Sequence, residues 1–153
     1  MKVLFWNIRG MGKKSRMGLL KDIIYKEIVD IVGIQETIRR DFADWELLAL
    51  TPGSSFQWKW LPAKGHSGGI LVGVKNDIFE VEEWTLGEFF VRAVLRNRLD
   101  NFRWSLVVVY GPAQHDLSTA FLLELSEVLQ NSPFPGLIGG GFQSNSDTRR
   151  QKQ

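Results

Sequence analysis

The sequence predicts an α/β fold, and three observations support this prediction. A strand–helix–strand unit opens the chain, with an amphipathic helix over 17–28 between the apolar runs 2–8 and 31–36. Several short strands separated by turn residues follow. A second amphipathic helix, over 117–132, leads into a last apolar run at 136–140. Because strands joined through a helix pair in parallel, we expect runs 2–8 and 31–36 to be adjacent parallel strands.

The middle of the chain adds one predicted helix and a series of strands. Segment 41–50 is predicted to be helical and to end at Thr51-Pro52-Gly53. Segment 56–63 alternates aromatic and other residues, so its aromatic face is either core or a stacking platform for nucleic-acid bases. The other predicted strands cover 70–75, 79–86, 88–97 and 102–111.

Both long helices show an apolar stripe that predicts their buried faces. In the first helix the stripe consists of Leu19, Leu20, Ile23, Ile24 and Ile28. In the second it consists of Leu117, Phe121, Leu122, Leu125, Val128 and Leu129, with Asp116 as the predicted N-cap.

The composition is that of a soluble globular domain. The chain has 153 residues, of which 44% are hydrophobic and 24% are charged. It contains no cysteine, which excludes a disulfide framework and a thiolate metal site. No apolar run approaches the ~20 residues of a membrane span, and the N-terminus lacks the pattern of a secretory signal. We therefore expect a nuclear or cytoplasmic protein that does not enter a membrane.

Positive charge is concentrated at the two ends of the chain. The net charge is +2, but segment 1–16 contains only basic residues among its charged ones. These are Lys2, Arg9, Lys13, Lys14 and Arg16. Such a segment either contacts phosphates or is a solvated terminus.

Polar side chains follow two neighbouring strands of the predicted sheet. Asn7 ends the first strand, and Glu36 follows the second. Ligands bind at this edge of open α/β sheets, and carboxylate and amide oxygens suit Mg²⁺ or Mn²⁺. Alternatively, Glu36 caps the next helix and Asn7 forms a turn.

A third strand ends in a polar aromatic residue. Tyr110 follows three valines and precedes a Gly-Pro turn. Its hydroxyl can donate to a phosphate oxygen, or its ring simply packs at the end of the strand.

Five segments in this order resemble motifs of the endonuclease/exonuclease/phosphatase superfamily: FWNIRG, IVGIQET, GGILVGV, VVVYGP and LIGGGFQ. The WNIRG start and the YGP turn are most similar to the endonuclease domain of plant LINE-type retrotransposons. The resemblance covers 1–143 and leaves 144–153 as a polar tail that we expect to be disordered. It implies the N-terminal part of a four-layer α/β sandwich, in which helices flank two stacked mixed sheets and the second sheet is incomplete.

The resemblance also implies roles for individual residues. Asn7 would help to position the metal and the attacked phosphate, Glu36 would ligate Mg²⁺ or Mn²⁺ directly, and Tyr110 would contact the scissile phosphate. The implied reaction is metal-assisted phosphodiester hydrolysis. In such reactions the metal stabilises charge on the phosphoryl oxygens while a carboxylate prepares the attacking water.

The next family motif, Gly-Asp-Phe-Asn, is altered in this sequence. Gly141 replaces the aspartate and Gln143 replaces the asparagine. The family's later Asp-His pair has no counterpart, because His66 and His115 come earlier and are expected on the surface. Losing one acid/base group typically lowers a rate by ~10²–10⁴. The resemblance therefore implies little or no nuclease activity and weak or lost metal binding.

Other functions remain open at this stage. The scaffold could act as a nucleic-acid-binding module, with DNA contacting Asn7, Glu36, Tyr110 and segment 9–16. It could act as an interaction module, in which a protein partner or a second copy covers the exposed sheet. It could also be a weak Mg²⁺-dependent nuclease or phosphatase that uses a different base.

Overall fold

The structure, a computed structural model, describes residues 1–112 and 117–141. It contains two four-stranded sheets and three helices over these residues. The elements are β1 (Val3–Asn7), α1 (Lys14–Lys26), β2 (Ile31–Gln35), α2 (Asp44–Leu50), β3 (Phe56–Leu61), β4 (Ile70–Lys75), β5 (Phe79–Leu86), β6 (Phe90–Asn97), β7 (Arg103–Tyr110), α3 (Ser118–Gln130) and β8 (Gly136–Gly141).

Both sheets are mixed. Sheet 1 has the order β1-β2-β4-β3, and β1 pairs with β2 in parallel, as the strand–helix–strand pattern predicts. Sheet 2 has the order β5-β6-β7-β8. Its strands β7 and β8 are parallel neighbours, and α3 connects them along the chain. The other strand pairs are antiparallel. Every residue of β2 is buried, which explains its uninterrupted apolar sequence.

Three apolar clusters hold four layers together. One cluster joins α1 and α2 to the outer face of sheet 1. The second lies between the two sheets, and the third joins α3 to the outer face of sheet 2. The order of layers is therefore helix, sheet, sheet, helix. This confirms the predicted α/β sandwich.

The helices bury narrower stripes than predicted. In α1 the predicted residue Leu19 is 50% exposed, and the buried contacts are made by Leu20 and Ile24. Ile28 is 67% exposed and lies beyond the end of the helix at Lys26. In α3 only Phe121 is fully buried. The predicted residues Leu122 and Leu129 are exposed, while Leu117, Leu125 and Val128 pack against sheet 2.

Some predictions fall outside the described residues. These are the Asp116 cap, His115, Gln143 and the tail 144–153. The described N-cap position of α3 is Leu117, which makes no side-chain capping bond.

The aromatic face of β3 belongs to the core. Phe56, Trp58 and Trp60 pack against the cluster under α1 and α2. Trp60 meets Phe42 edge to face, with 5.5 Å between the ring centroids. These rings are therefore structural, and the stacking-platform alternative is not supported.

The Phe5 ring lies between the two sheets, against two glycines. A Cβ atom added at Gly33 would lie 2.8 Å from the Phe5 ring, and one added at Gly139 would lie 2.2 Å from it. Real Cβ atoms do not approach so closely, so only glycine fits at these two positions without a shift of the ring. The Phe5 ring thus spans from its neighbour β2 in sheet 1 to β8 in sheet 2.

We expect Gly139→Ala to destabilise the protein by about 1–3 kcal/mol, because the new methyl group overpacks the Phe5 site. Phe5→Leu should relieve the clash, so the double variant should lose less stability than the sum of the single variants. Urea unfolding followed by circular dichroism measures these differences.

Gly18→Ala is the matched control. A Cβ atom at Gly18 has no neighbour within 4 Å, and Gly18 lies inside α1. Alanine there should stabilise the protein by about 0.5–1 kcal/mol. If Gly139→Ala and Gly18→Ala change the free energy of unfolding in the same way, the Phe5 ring does not lie against Gly139.

Candidate active site at the strand ends

Four strand ends meet at one edge of the sandwich. Asn7 lies opposite Gln35 in the β1–β2 pair, directly before Glu36. Tyr110 lies opposite Gly141 in the β7–β8 pair. A Cβ atom added at Gly141 would lie 3.9 Å from Asn7 Nδ2, which connects the two sheets at this point. The structure therefore brings the strand ends that carry the predicted site residues to one edge.

Asn7 shapes the turn after β1. Its Oδ1 accepts a hydrogen bond from the Arg9 backbone N–H at 3.2 Å. Arg9 itself has a positive φ of 53°. The turn alternative for Asn7 is therefore correct, and the same geometry places its amide nitrogen near position 141.

Backbone hydrogen bonds on both sides hold Glu36 in place. Its carbonyl oxygen accepts from the Gly10 N–H at 2.8 Å, and the next residue, Thr37, donates to the Gly69 carbonyl at 3.1 Å. Glu36 has a φ of 55°, a conformation that costs most non-glycine residues about 1–2 kcal/mol. A strained residue held by its neighbours is typical of functional sites.

Glu36 does not cap the following helix. That helix, α2, begins at Asp44, and Glu46 accepts a hydrogen bond from the Ala43 N–H at 3.0 Å. The capping alternative for Glu36 is therefore wrong, and its carboxylate is not used in this way.

Gly68 and Gly69 also contribute to the site, which was not predicted from the sequence. A Cβ atom at Gly69 would lie 2.2 Å from Thr37 Oγ1, so a larger residue would displace the segment that holds Glu36. Both glycines have positive φ values, of 77° and 91°. The Gly-Gly pair directly before an apolar strand was the available signal.

Tyr110 is half-buried beside Glu36. Burial raises the pKa of the Tyr110 hydroxyl above its usual value, and the negative charge of Glu36 raises it further. The hydroxyl therefore remains protonated at neutral pH. It can donate a hydrogen bond to an anionic oxygen at this edge.

A cavity of about 390 Å³ opens next to Tyr110. Its walls include Leu61, Ile70 and Phe89, and the ion pair Lys64–Glu88 lies at its rim with 3.4 Å between Nζ and Oε1. Sequence reasoning missed this cavity because its walls come from distant segments.

The chemical types of the polar groups at this edge, a carboxylate and an amide, suit a hard divalent cation. Glu36 supplies a carboxylate and Asn7 an amide oxygen, and Mg²⁺ is commonly held by one or two carboxylates together with water and substrate phosphates. Glu36 would hold the ion and Asn7 would assist. When bound, the ion would supply positive charge to a phosphate. Within residues 1–112 and 117–141, no three His, Asp or Glu side chains form a group that could hold a metal ion.

Basic residues follow Asn7 directly. The exposed Arg9 is the second residue after it, and Lys13, Lys14 and Arg16 lie at the start of α1. The Arg16 guanidinium donates to the backbone carbonyls of Arg9 and Gly10, the latter at 3.2 Å. These bonds fold the basic segment onto itself, and the bond from the Gly10 N–H to the Glu36 carbonyl ties it to the strand ends. By contrast, His66 is exposed in the β3–β4 turn, as predicted.

Residues 4–142 match the family model described as Endonuclease/Exonuclease/phosphatase family. The chain therefore belongs to that family, in agreement with the resemblance of its strand-end motifs. No curated protein matches the sequence.

Solved structures with the same fold are distant in sequence. The human Nocturnin catalytic domain superposes with a TM-score of 0.72 at 15% identity, covering 94% of this chain and 64% of that one. The AP endonuclease LMAP from Leishmania major gives 0.69 at 17% identity, covering 90% and 54%. A mannosyl-6-phosphatase from Bacteroides thetaiotaomicron gives 0.65 at 15% identity, covering 98% and 70%. The chain thus spans about half to two thirds of these structures. No helix in the described part is long and apolar enough to span a membrane.

We expect the pKa of Tyr110 to fall towards its usual value of ~10 in Glu36→Gln, because that substitution removes the neighbouring negative charge. Burial should keep the pKa above the usual value. The chain has two tyrosines, so Tyr25→Phe provides a background in which only Tyr110 titrates. Ultraviolet absorbance of the phenolate measures the midpoint.

The pH dependence of stability provides a second readout. Since the folded pKa of Tyr110 is raised, its stabilising contribution is complete below the unfolded value and is lost as the pH rises through the folded value. Tyr110→Phe should abolish this alkaline loss. Glu27→Gln, distant from the site, is the control for Glu36→Gln. Equal midpoints in both variants would show that Glu36 does not face Tyr110.

Proposed function

We propose that this chain is a catalytically inactive derivative of a Mg²⁺-dependent, phosphodiester-cleaving endonuclease of retrotransposon origin. Its motifs are most similar to those of plant LINE-type endonuclease domains. We place the protein in the nucleus or the cytoplasm.

Position 141 carries the proposal of inactivity. The residue there is glycine, although a side chain would fit, because the nearest atom to an added Cβ is Asn7 Nδ2 at an ordinary contact distance of 3.9 Å. Gly140, by contrast, has a φ of 133° and lies against the Val109 backbone, so it must be glycine. The backbone therefore does not explain Gly141. A carboxylate that could activate water is missing from a place with room for one.

The remaining groups support binding rather than cleavage. Glu36 can hold a cation, and the protonated Tyr110 can donate to a phosphate oxygen. Neither group is placed to take a proton from water, because Glu36 would ligate the ion and Tyr110 already holds its proton. Removing several members of one catalytic site lowers activity drastically, and the losses do not add independently.

We expect wild-type protein to nick supercoiled plasmid no faster than Glu36→Ala, with either Mg²⁺ or Mn²⁺. The site lacks a base at position 141, so removing the cation ligand should change nothing. Agarose gels read over a time course measure the rates, and a phosphomonoester substrate tests for phosphatase activity in parallel. Metal-dependent turnover that disappears in Glu36→Ala would overturn the proposal and establish a weak nuclease or phosphatase.

The basic segment favours a second candidate function, nucleic-acid binding. Arg9, Lys13, Lys14 and Arg16 adjoin the strand ends, and segment 1–16 contains no acidic residue. A positive stretch beside a phosphate-compatible edge suits the backbone of DNA.

We expect binding of DNA to weaken in the double variant Lys13→Gln/Lys14→Gln. The slope of log K against log salt should decrease by about two, because two phosphate contacts are lost. Fluorescence anisotropy over a series of salt concentrations measures both quantities. The matched control is Lys21→Gln/Lys26→Gln, which removes the same charge from exposed positions further along α1. Equal weakening in both variants would mean that binding depends on net charge alone.

A further inference from the structure

Glu36 opens the loop that joins β2 to α2, and the start of this loop has a strained backbone. Two of its first three residues have positive φ values, 55° at Glu36 and 54° at Ile38. Side chains rarely adopt this conformation, and for a β-branched residue such as isoleucine it is an outlier. Such a backbone keeps its shape only where the surrounding structure holds it in place. The contacts around this loop therefore determine where Glu36 lies.

The middle of the loop is held by the turn that contains Gly68 and Gly69. The Thr37 N–H donates to the Gly69 carbonyl at 3.1 Å, and the Ile38 N–H donates to the Gly68 carbonyl at 3.0 Å. The Thr37 side chain is fully buried, and its Oγ1 accepts a hydrogen bond from the Arg39 N–H at 3.2 Å. The backbone of Arg39 is therefore joined to the residue that packs against the glycine turn.

The side chain of Arg39 is fixed by residues at the start of α2. Its Nη2 atom lies 2.7 and 2.8 Å from the two carboxylate oxygens of Glu46, and its Cζ atom lies 4.9 Å from the centroid of the Phe42 ring. The side chains of the ion pair are only 27% and 17% exposed, so salt screens it less than a surface pair. The Arg39 carbonyl also accepts from the Ala63 N–H at 2.9 Å. Arg39 thus joins the loop to α2 and to the segment after β3.

Glu46 is itself well placed to hold Arg39. It accepts a hydrogen bond from the Ala43 N–H at 3.0 Å, and this bond, together with the bond from Arg39, holds the pKa of the Glu46 carboxyl below its usual value. The carboxylate therefore remains charged at neutral pH. Phe42, on the other side of the guanidinium, is buried in the cluster that joins α1 and α2 to sheet 1. The contacts of Arg39 are therefore anchored in the core.

We propose that Arg39 is a positioning residue for Glu36: its contacts with Glu46 and Ala63 hold the loop in the strained conformation that keeps Glu36 at the strand ends. The functional consequence rests on the proposed binding of a cation by Glu36. Arg39 acts through its geometry, because Glu46 already neutralises its charge. Lysine would keep the charge, but it has no planar group that can lie over the Phe42 ring while it donates to a carboxylate.

Amide hydrogen exchange, followed by NMR on the full chain, tests the positioning role directly. The amides to observe are those of Thr37, Ile38 and Gly10, the last of which donates to the Glu36 carbonyl. In Arg39→Gln they should exchange about tenfold faster than in the wild-type protein, because the loop opens locally. The amides of β2 and β4 should keep their rates. Arg39→Lys should give an intermediate increase at the same three amides.

Arg96→Gln is the matched control. The side chain of Arg96 is 27% exposed, as is that of Arg39, and it forms an ion pair with Glu80. It lies at the end of sheet 2 away from Tyr110. The control therefore removes the same group from a similar ion pair, and it should leave exchange at residues 10, 37 and 38 unchanged.

Glu46→Gln provides a second variant that removes the same contact from the other side. It should accelerate exchange at the same three amides. In the double variant Arg39→Gln/Glu46→Gln the increase should be smaller than the product of the two single increases, because both substitutions remove one interaction.

Titration with Mn²⁺ measures the functional consequence. The affinity, followed by the paramagnetic resonance signal of the free ion, should fall about tenfold or more in Arg39→Gln, as is typical when a residue that orients a metal ligand is removed. It should not change in Arg96→Gln. If the wild-type protein binds no Mn²⁺, the proposed cation site at Glu36 is wrong, and the exchange rates still decide whether Arg39 positions the loop.

Three results would overturn the positioning role. One is wild-type exchange at Thr37 and Ile38 in Arg39→Gln. Another is an equal increase in the amides of β2 and β4, which would mean that Arg39 only stabilises the fold. The third is wild-type Mn²⁺ affinity in Arg39→Gln.

Discussion

The contact of the Phe5 ring with two glycines sets the relation between the sheets. Gly33 on the neighbouring strand and Gly139 on the opposite sheet leave the space that the ring fills. A side chain at either glycine would displace the ring, and interiors packed at crystal-like density tolerate such shifts poorly. Because Asn7 is two residues after Phe5 and Gly141 is two residues after Gly139, this contact also places the ends of the two strands side by side.

The edge that results is largely a product of topology. Parallel pairing in each sheet turns β1 and β2 towards the same edge, and likewise β7 and β8. Each of these strands contributes one position: Asn7, Glu36, Tyr110 and Gly141. The resemblance of the motifs implies that the family's chemistry depends on what occupies these positions, whereas the fold does not. The chain retains the scaffold of the family, whereas we propose that it has lost the hydrolytic activity.

Much of this architecture could be predicted from the sequence, since local patterns determine it. Short apolar runs predicted the strands, and the helix between runs 2–8 and 31–36 predicted that these two strands pair in parallel. The extent of helix burial could not be predicted, because Leu19 and Leu122 lie on apolar stripes wider than the surface the sheets offer. The supporting role of Gly69 was also hidden, since it depends on contact with Thr37, thirty-two residues away in the sequence. Roles that depend on contacts between distant segments need coordinates.

Because Tyr110 lies beside Glu36, the pKa of Tyr110 should respond to a cation bound at Glu36. The charge of Glu36 favours the protonated phenol, so a cation that neutralises this carboxylate must favour the phenolate. By thermodynamic linkage, ionisation of Tyr110 must strengthen cation binding by the same factor. In the Tyr25→Phe background, the absorbance of Tyr110 would therefore report whether a cation is bound, without any added label. Cation binding at this edge could thus be followed without a substrate.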